Sequence, residues 1–288
     1  MTASAPAKWG LRGLAFGYLG LLLLAPVAMI FFKTFEHGLA APVDAMTSPE
    51  ALHSIKLTLL MVAIAVPLNT IFGVGCAILL VRRRWWGNPI IDAIINLPFA
   101  ISPIVIGLSL LLLYGSGGWF GPALEEAGFQ MLFAWPAMVL ASIFVSLPFV
   151  VREVVPVLQE IGTEQEQAAS TLGANAWQTF WRVTLPAIRW GVAYGIVLTT
   201  ARVLGEFGAV TVVSGSISGE TETLPLFVAK AFEQFNEEAA YAGAIVLALL
   251  ALTTLLLMSV GGRKAKAAAP IPTVADVPVS SSNTKEGS

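Results

Sequence analysis

Charge is scarce in this sequence. Asp, Glu, Lys and Arg make up 12% of the 288 residues against 56% hydrophobic residues, and the mean hydropathy is +0.79. An ordinary soluble domain carries about 25% charge and about 45–50% apolar residues, so the composition excludes one and fits a polytopic membrane protein. Cysteine is almost missing: Cys76 is the one cysteine, it lies in an apolar run, and no disulfide framework is possible within the chain. The two histidines, His37 and His53, lie outside the apolar runs and form no metal-ligand pattern. There is no G-x-x-x-x-G-K-[ST] loop to cradle nucleotide phosphates, and no Ser/His/Asp or Cys/His set for nucleophilic catalysis. Charges deep in the apolar runs are limited to Asp92, Arg202 and Glu206. That is too few acids for the relays of proton-driven carriers. A membrane-embedded enzyme thus lacks its catalytic groups and an ion-coupled secondary anion carrier lacks its relay. If the chain moves a solute uphill, the energy comes from another polypeptide.

What the sequence has is long apolar runs. A spanning helix needs roughly 20 predominantly apolar residues, and six runs qualify: about 13–32, 57–81, 89–114, 132–151, 188–210 and 239–260. The expected fold class is all-α, a polytopic bundle of about six transmembrane helices. The first run spans without a small-residue cleavage site, so it reads as a helix and not as a removable signal. Pro67, Pro98, Pro103, Pro136 and Pro148 interrupt the second to fourth runs. They predict either kinks or locally opened helices lining a substrate path. Lys8, Arg12, Arg82, Arg83, Arg84, Arg152, Arg182, Arg189, Arg263, Lys264 and Lys266 fall on one side of the runs, and only Lys33, Lys56 and Lys230 on the other. The positive-inside rule puts both termini and the 152–187 loop in the cytoplasm, with loops 34–54, 115–131 and 211–238 outside. The expected organisation is a cytoplasmic segment 1–12, a transmembrane domain 13–262 and a tail 263–288. The tail is rich in Ala, Pro, Ser and Thr, and its composition predicts disorder.

One cytoplasmic strip is too ordered for a linker. It runs EQEQAASTLGANAWQTFWRVTLP, from Glu164 to Pro186. Thr163 and Glu166 read as a T-x-x-E capping box that starts a helix. Gly173-Ala174 permits a sharp joint, because glycine tolerates unusual backbone conformations. Asn175 is a good N-cap for a second helix, on which Trp177, Phe180 and Trp181 share a face at i, i+3 and i+4. Leu185-Pro186 is expected to end that element. Three readings stand open: an interfacial helix on the headgroups, an aromatic face packed on this chain's own bundle, and a helix presented to a groove on a cytoplasmic partner.

The strip Q-A-A-S-T-L-G, nine further residues, then V-T-L-P resembles the EAA loop of ABC importer permeases, E-A-A-x3-G-x9-I-x-L-P. The resemblance implies a type I ABC importer permease fold. It also implies that Glu166, Gln167, Ala168, Ala169, Gly173, Ala174, Trp177, Phe180, Leu185 and Pro186 form coupling helices seated on an ATP-binding subunit. Two positions depart from the pattern: Gln167 stands where the family has Glu, with Glu166 just before it, and Val183 replaces Ile. Further stretches resemble the importers of tetrahedral oxyanions: ARVLGEFGAV (201–210), VSGSISGETETLPL, SLPFVVREVVPVL (146–158), LPFAISPIVIGL (97–108) and LYGSGGWFG (113–121). Over about residues 50 to 260 the chain is similar to the W-type subunit of sulfate/thiosulfate permeases, with the molybdate/tungstate permeases as the alternative. The implied partners are a T-type companion permease forming a heterodimer, two copies of an ABC ATPase, a periplasmic sulfate/thiosulfate-binding protein and the lipid bilayer, with no nucleic acid. The implied place is the bacterial inner membrane. ATP and Mg would be held by the ATPase, so no cofactor is expected in this chain and it is not itself an enzyme.

Arg202 and Glu206 stand one turn apart. An unpaired charge near mid-membrane costs roughly 2.5–3.5 kcal/mol on insertion scales. They read either as an ion pair bracing the outward gate or as a site where Arg202 lends positive potential to the anion path. The Gly/Ser-rich outer loop from Ser214 to Leu224 reads as a solvated connector or as a contact for a docked binding protein.

Overall fold

The computed structural model describes residues 5–36, 38–83 and 85–266, with backbone alone for residues 5–12, 15, 23 and 257–266. In chain order the helices are α1 (Ala5–Phe35), α2 (Ala40–Thr47), α3 (Pro49–Arg82), α4 (Asn88–Ala100), α5 (Pro103–Tyr114), α6 (Gly121–Glu126), α7 (Trp135–Ile161), α8 (Glu164–Thr171), α9 (Ala176–Thr179), α10 (Leu185–Leu204), α11 (Gly208–Ser214), α12 (Leu224–Glu233) and α13 (Glu237–Lys266). A π-helical turn, Phe180–Thr184, joins α9 to α10. Among the described residues there is no strand, as the composition predicts.

Five stretches have the length and hydropathy to cross a membrane: Phe16–Phe35, Pro49–Arg82, Trp135–Ile161, Ala176–Leu204 and Glu237–Leu256. The sixth expected span is not one helix. The pair α4 and α5 is bent by 110°. The cause is local: Pro103 opens α5 and drives the preceding Ser102 to φ −61°, ψ 137°, the extended region that a proline imposes on its predecessor. Pro67, Pro98 and Pro148 stay inside continuous helices and Pro136 sits in the first turn of α7. Only Pro103, then, coincides with an opened span. The fifth span also breaks, at Gly205 to Phe207, and restarts as α11. The last helix continues to Lys266, past the expected start of the tail at residue 263. Residues 267–288 lie outside the described residues, as do His37 and Arg84.

Three helices build the core. α3 packs along α7, and α10 packs against both. The approach is close because the contacts are glycine. A Cβ added at Gly73 would lie 2.7 Å from the Val150 Cβ, and one added at Gly195 would lie 2.8 Å from the Val150 Cα. Small residues at such crossings let membrane helices meet backbone to backbone. Around Val150 lies one core layer with Val74, Ala77, Val154, Leu158, Ile188 and Val192. A second layer, with Met61, Ala65, Met138, Ala141, Val145, Val203 and Val210, sits toward the α5 and α11 end. Between α3 and α7, the buried Asn69 amide donates to Ser146 Oγ at 2.7 Å and to the Ile143 carbonyl at 3.2 Å.

The segment from Ser214 to Leu224 corrects the expectation of a solvated connector. Its tip, residues 217–220, is exposed, but Thr221, Glu222, Thr223 and Leu224 are buried. Thr221 Oγ1 donates to the Ser214 carbonyl at 2.6 Å. Thr58 of α3 accepts the Leu224 amide at 2.9 Å. Glu222 accepts from Ser218 at 3.0 Å and lies 3.4 Å from Lys230. Short polar side chains satisfy the backbone here in place of water, which is what permits an irregular segment to be buried.

Candidate coupling site

The strip from Thr163 to Pro186 forms two short helices held beneath the ends of α3 and α7. Its start is where expected, but the capping box at Thr163 is not formed: Thr163 makes no side-chain cap bond. Glu166 is drawn elsewhere. Its Oε2 lies 2.9 Å from Arg82 Nε, and its Oε1 accepts from Arg82 Nη2 at 3.2 Å and from Thr184 Oγ1 at 2.8 Å. Thr163 sits at φ −116°, ψ 0°, outside the β-region that a capping residue occupies, and the Glu166 carboxylate pairs with a full positive charge instead of the Thr163 amide. The first turn of α8 retains Glu164 and Glu166, the sign that the positive end of a helix dipole favours.

The joint behaves as its glycine predicts. Gly173 sits at φ +85°. Its amide donates to the Ser170 carbonyl at 3.0 Å, and the Ala174 amide donates to the Ala169 carbonyl at 3.0 Å. These two bonds are a Schellman termination, with glycine at the left-handed position. The capping box of the strip lies one helix later. Asn175 Oδ1 accepts the Gln178 amide at 2.9 Å, and Gln178 Oε1 accepts the Asn175 amide at 3.1 Å. Asn175 is the cap its residue type predicts, and Gln178, at N3, is its reciprocal partner.

Leu185-Pro186 does not end the second element. The chain passes through it into α10, and the strip is continuous with the fifth span from Ala176 to Leu204. A proline inside a helix loses one bond and clashes with the carbonyl four residues back. The preceding turn adapts by widening, with the Leu185 amide donating to the Phe180 carbonyl.

The aromatic face is real. Trp177 and Trp181 meet edge to face at 5.5 Å between ring centroids, as do Phe180 and Trp181 at 5.3 Å. It divides its contacts: Phe180 and Leu185 pack on the core layer around Val150, while Trp177, Trp181 and Leu172 are exposed. Gln167 and Ala168 are also exposed, Ala169 and Ala174 are half-buried and Pro186 is exposed. The Gln167 side chain turns back to Thr163 Oγ1 at 3.1 Å. Between strip and bundle lies a groove of about 380 Å³ whose walls include Ile78, Arg82, Glu166, Ala174, Phe180 and Thr184. Arg82, Ile78 and Thr184 escaped the sequence reading. Arg82 entered it only as one cation in the RRR cluster that set orientation.

Arg202 and Glu206 lie at the far end of α10, about 27 Å from Thr184 at 1.5 Å per residue. Arg202 Nη1 and Glu206 Oε2 form an ion pair at 2.7 Å. Glu206 is buried, and its Oε1 accepts the Ala209 amide at 2.9 Å, bridging the break between α10 and α11. The two breaks touch: a Cβ added at Gly208 would lie 3.1 Å from the Pro103 Cβ.

The chain is similar to known transport proteins. The family described as "Binding-protein-dependent transport system inner membrane component" matches residues 69–264. The chain is 52% identical over 247 residues to the "Sulfate transport system permease protein CysW" of Synechococcus elongatus, covering 86% of each. It is 37% identical over 240 residues to the "Sulfate transport system permease protein CysT" of Escherichia coli K12, covering 83% of this chain and 86% of that one. Among solved structures, a chain of the bacterial alginate ABC transporter in complex with alginate pentasaccharide-bound periplasmic protein superposes with a TM-score of 0.75 at 18% identity, covering 90% of this chain and 96% of that one. That likeness is one of fold, and it fits the six-span bundle with one bent span. The chain belongs to the family of binding-protein-dependent transport system inner membrane components.

Proposed function

We propose that this chain is the membrane-spanning permease subunit of an ATP-driven sulfate/thiosulfate importer of a bacterial inner membrane. It pairs with a T-type companion permease and with two copies of an ABC ATPase, and it receives the anion from a periplasmic binding protein. Both termini and the strip 163–186 face the cytoplasm. ATP and Mg are held by the ATPase; this chain contributes no catalytic group. The observation that carries the reading is α8 and α9. They form a two-helix element with an exposed Leu172, Trp177 and Trp181 face, fixed to the bundle by Arg82, Glu166 and Thr184. A helix pair with an exposed aromatic edge fits a groove on a partner. Closure of the ATPase pair moves this element, the bundle turns outward and the anion enters. Arg202 and Glu206 brace the outward gate, where the broken ends of α4–α5 and α10–α11 meet.

The test is uptake of radiolabelled sulfate by a deletion strain carrying this chain, competed with thiosulfate and with molybdate. ATP-dependent uptake suppressed by thiosulfate is the expected result. Suppression by molybdate alone would move the chain to the molybdate/tungstate permeases, and uptake insensitive to loss of the ATPase would overturn the reading.

A further inference from the structure

We propose that Arg82 is a positioning residue for energy coupling, the non-covalent tie through which movement of α8 reaches three spans together. This rests on the proposed function, because it requires an ATPase seated on α8 and α9.

Four elements meet at one guanidinium and one carboxylate. Arg82 is the last residue of α3. Its Nη1 donates to the Leu158 carbonyl at 3.0 Å. Leu158 lies in the last turn of α7, where carbonyls lack helical partners. Arg82 Nη2 donates to Glu166 Oε1 on α8 at 3.2 Å, and Arg82 Nε lies 2.9 Å from Glu166 Oε2 as an ion pair. Glu166 in turn accepts Thr184 Oγ1 at 2.8 Å, the last residue of the π-helical turn and the entry to α10. Thus the inner ends of α3, α7 and α10, the helices of the core, are fastened to α8 at one point. The pair is mostly shielded, with side-chain exposures of 13% for Arg82 and 22% for Glu166, so water and salt weaken it little.

The rest of α8 is loosely held. It has no buried residue. Both its ends are glycine joints in positive φ: Gly162 at +62° and Gly173 at +85°, neither with a neighbour that a Cβ would meet. α8 therefore has no buried anchor of its own, and its polar link to the inner ends of the three core helices runs through Glu166. Arg82 holds that carboxylate by charge and by the Nη2–Oε1 bond, from a guanidinium whose donors are planar and rigid.

The experiment uses the full transporter purified with its ATPase, with Cys76→Ser and the reporter Phe207→Cys. Phe207 is exposed at the break between α10 and α11. Labelling by a membrane-impermeant maleimide is timed with and without ATP and Mg. With Arg82 intact, ATP changes the labelling rate; its failure to do so would strike the proposed function and not the tie. Arg82→Ala and Glu166→Gln are each expected to shrink the ATP-dependent change at least about fivefold, the lower end of ordinary coupling between sites, while the ATPase still co-purifies. The exchange pair Arg82→Glu with Glu166→Arg is expected to recover part of it. A full ATP response in Arg82→Ala overturns the proposal, as does an exchange pair no better than Arg82→Ala. If Arg82→Ala fails to assemble, Thr184→Val decides: an ATP response reduced about twofold, as loss of one hydrogen bond gives, supports the tie, and an unchanged one overturns it.

Discussion

Arg202 and Glu206 close an ion pair at 2.7 Å across a helix break, and the same Glu206 carboxylate accepts the Ala209 amide that restarts the chain as α11. The pair is therefore part of the backbone's own accounting at that break. Removing one partner of a buried pair costs about 3–5 kcal/mol, because it strands the other charge. Arg202→Ala is expected to lower labelled sulfate uptake sharply. The double variant Arg202→Met with Glu206→Gln keeps an acceptor for Ala209 without a stranded charge. It is expected to regain at least half of the uptake per assembled transporter. A double variant as inactive as Arg202→Ala would place Arg202 on the anion path instead of in the brace.

Gly173 is held at φ +85° with open space where a Cβ would stand. Its substitution thus tests conformation and not crowding. A left-handed conformation costs an L-residue roughly 1–2 kcal/mol, and more when β-branched. Gly173→Val is expected to break the Schellman joint and tilt α8 away from α9. Co-purification of the ATPase should fall, while the melting temperature of the permease itself changes little. A stable permease that keeps its ATPase at wild-type ratio would count against the coupling assignment.

Gly195 meets Val150 where α10 crosses α7, and an added Cβ would lie 2.8 Å from the Val150 Cα. Backbone cannot move aside as a side-chain tip can. Gly195→Leu is expected to cost at least about 1–3 kcal/mol through overpacking, read as lower membrane content and a lower melting temperature. Gly75→Ala, on α3 with nothing near its Cβ position, is the control and should match the wild type.

Thr58 ties the buried end of the segment from Ser214 to Leu224 to α3 by accepting the Leu224 amide. Thr58→Val leaves that buried N–H without its partner, a cost of about 1–3 kcal/mol. The expected result is faster hydrogen exchange at Leu224 and its neighbours, with the α3–α7–α10 core unchanged. Thr58→Ser restores the acceptor and is expected to restore protection.

By itself the sequence determined the class of molecule, the apolar runs and the place of the two-helix strip at 163–186. These are set by one-dimensional quantities: run length, charge placement, and glycine and cap residues at fixed spacing. The Schellman joint at Gly173 and the cap at Asn175 formed as local chemistry requires, since each involves only residues within a few positions. Tertiary structure decided what depends on competition between distant groups. Thr163 and Glu166 have the spelling of a capping box, yet Glu166 went to Arg82, 84 positions away, because a guanidinium offers its carboxylate a full opposite charge and the Thr163 amide only a dipole. Leu185-Pro186 reads as a stop, yet the helix runs on, because packing of α10 on α7 makes a widened π-turn less costly than ending. Ser214 to Leu224 reads as solvated, yet its end is buried, because Thr58 and Thr221 supply the bonds that water would have made. The place of Arg82 was invisible for the same reason: its two partners, Leu158 and Glu166, come from two other segments, and only folding brings them to one guanidinium.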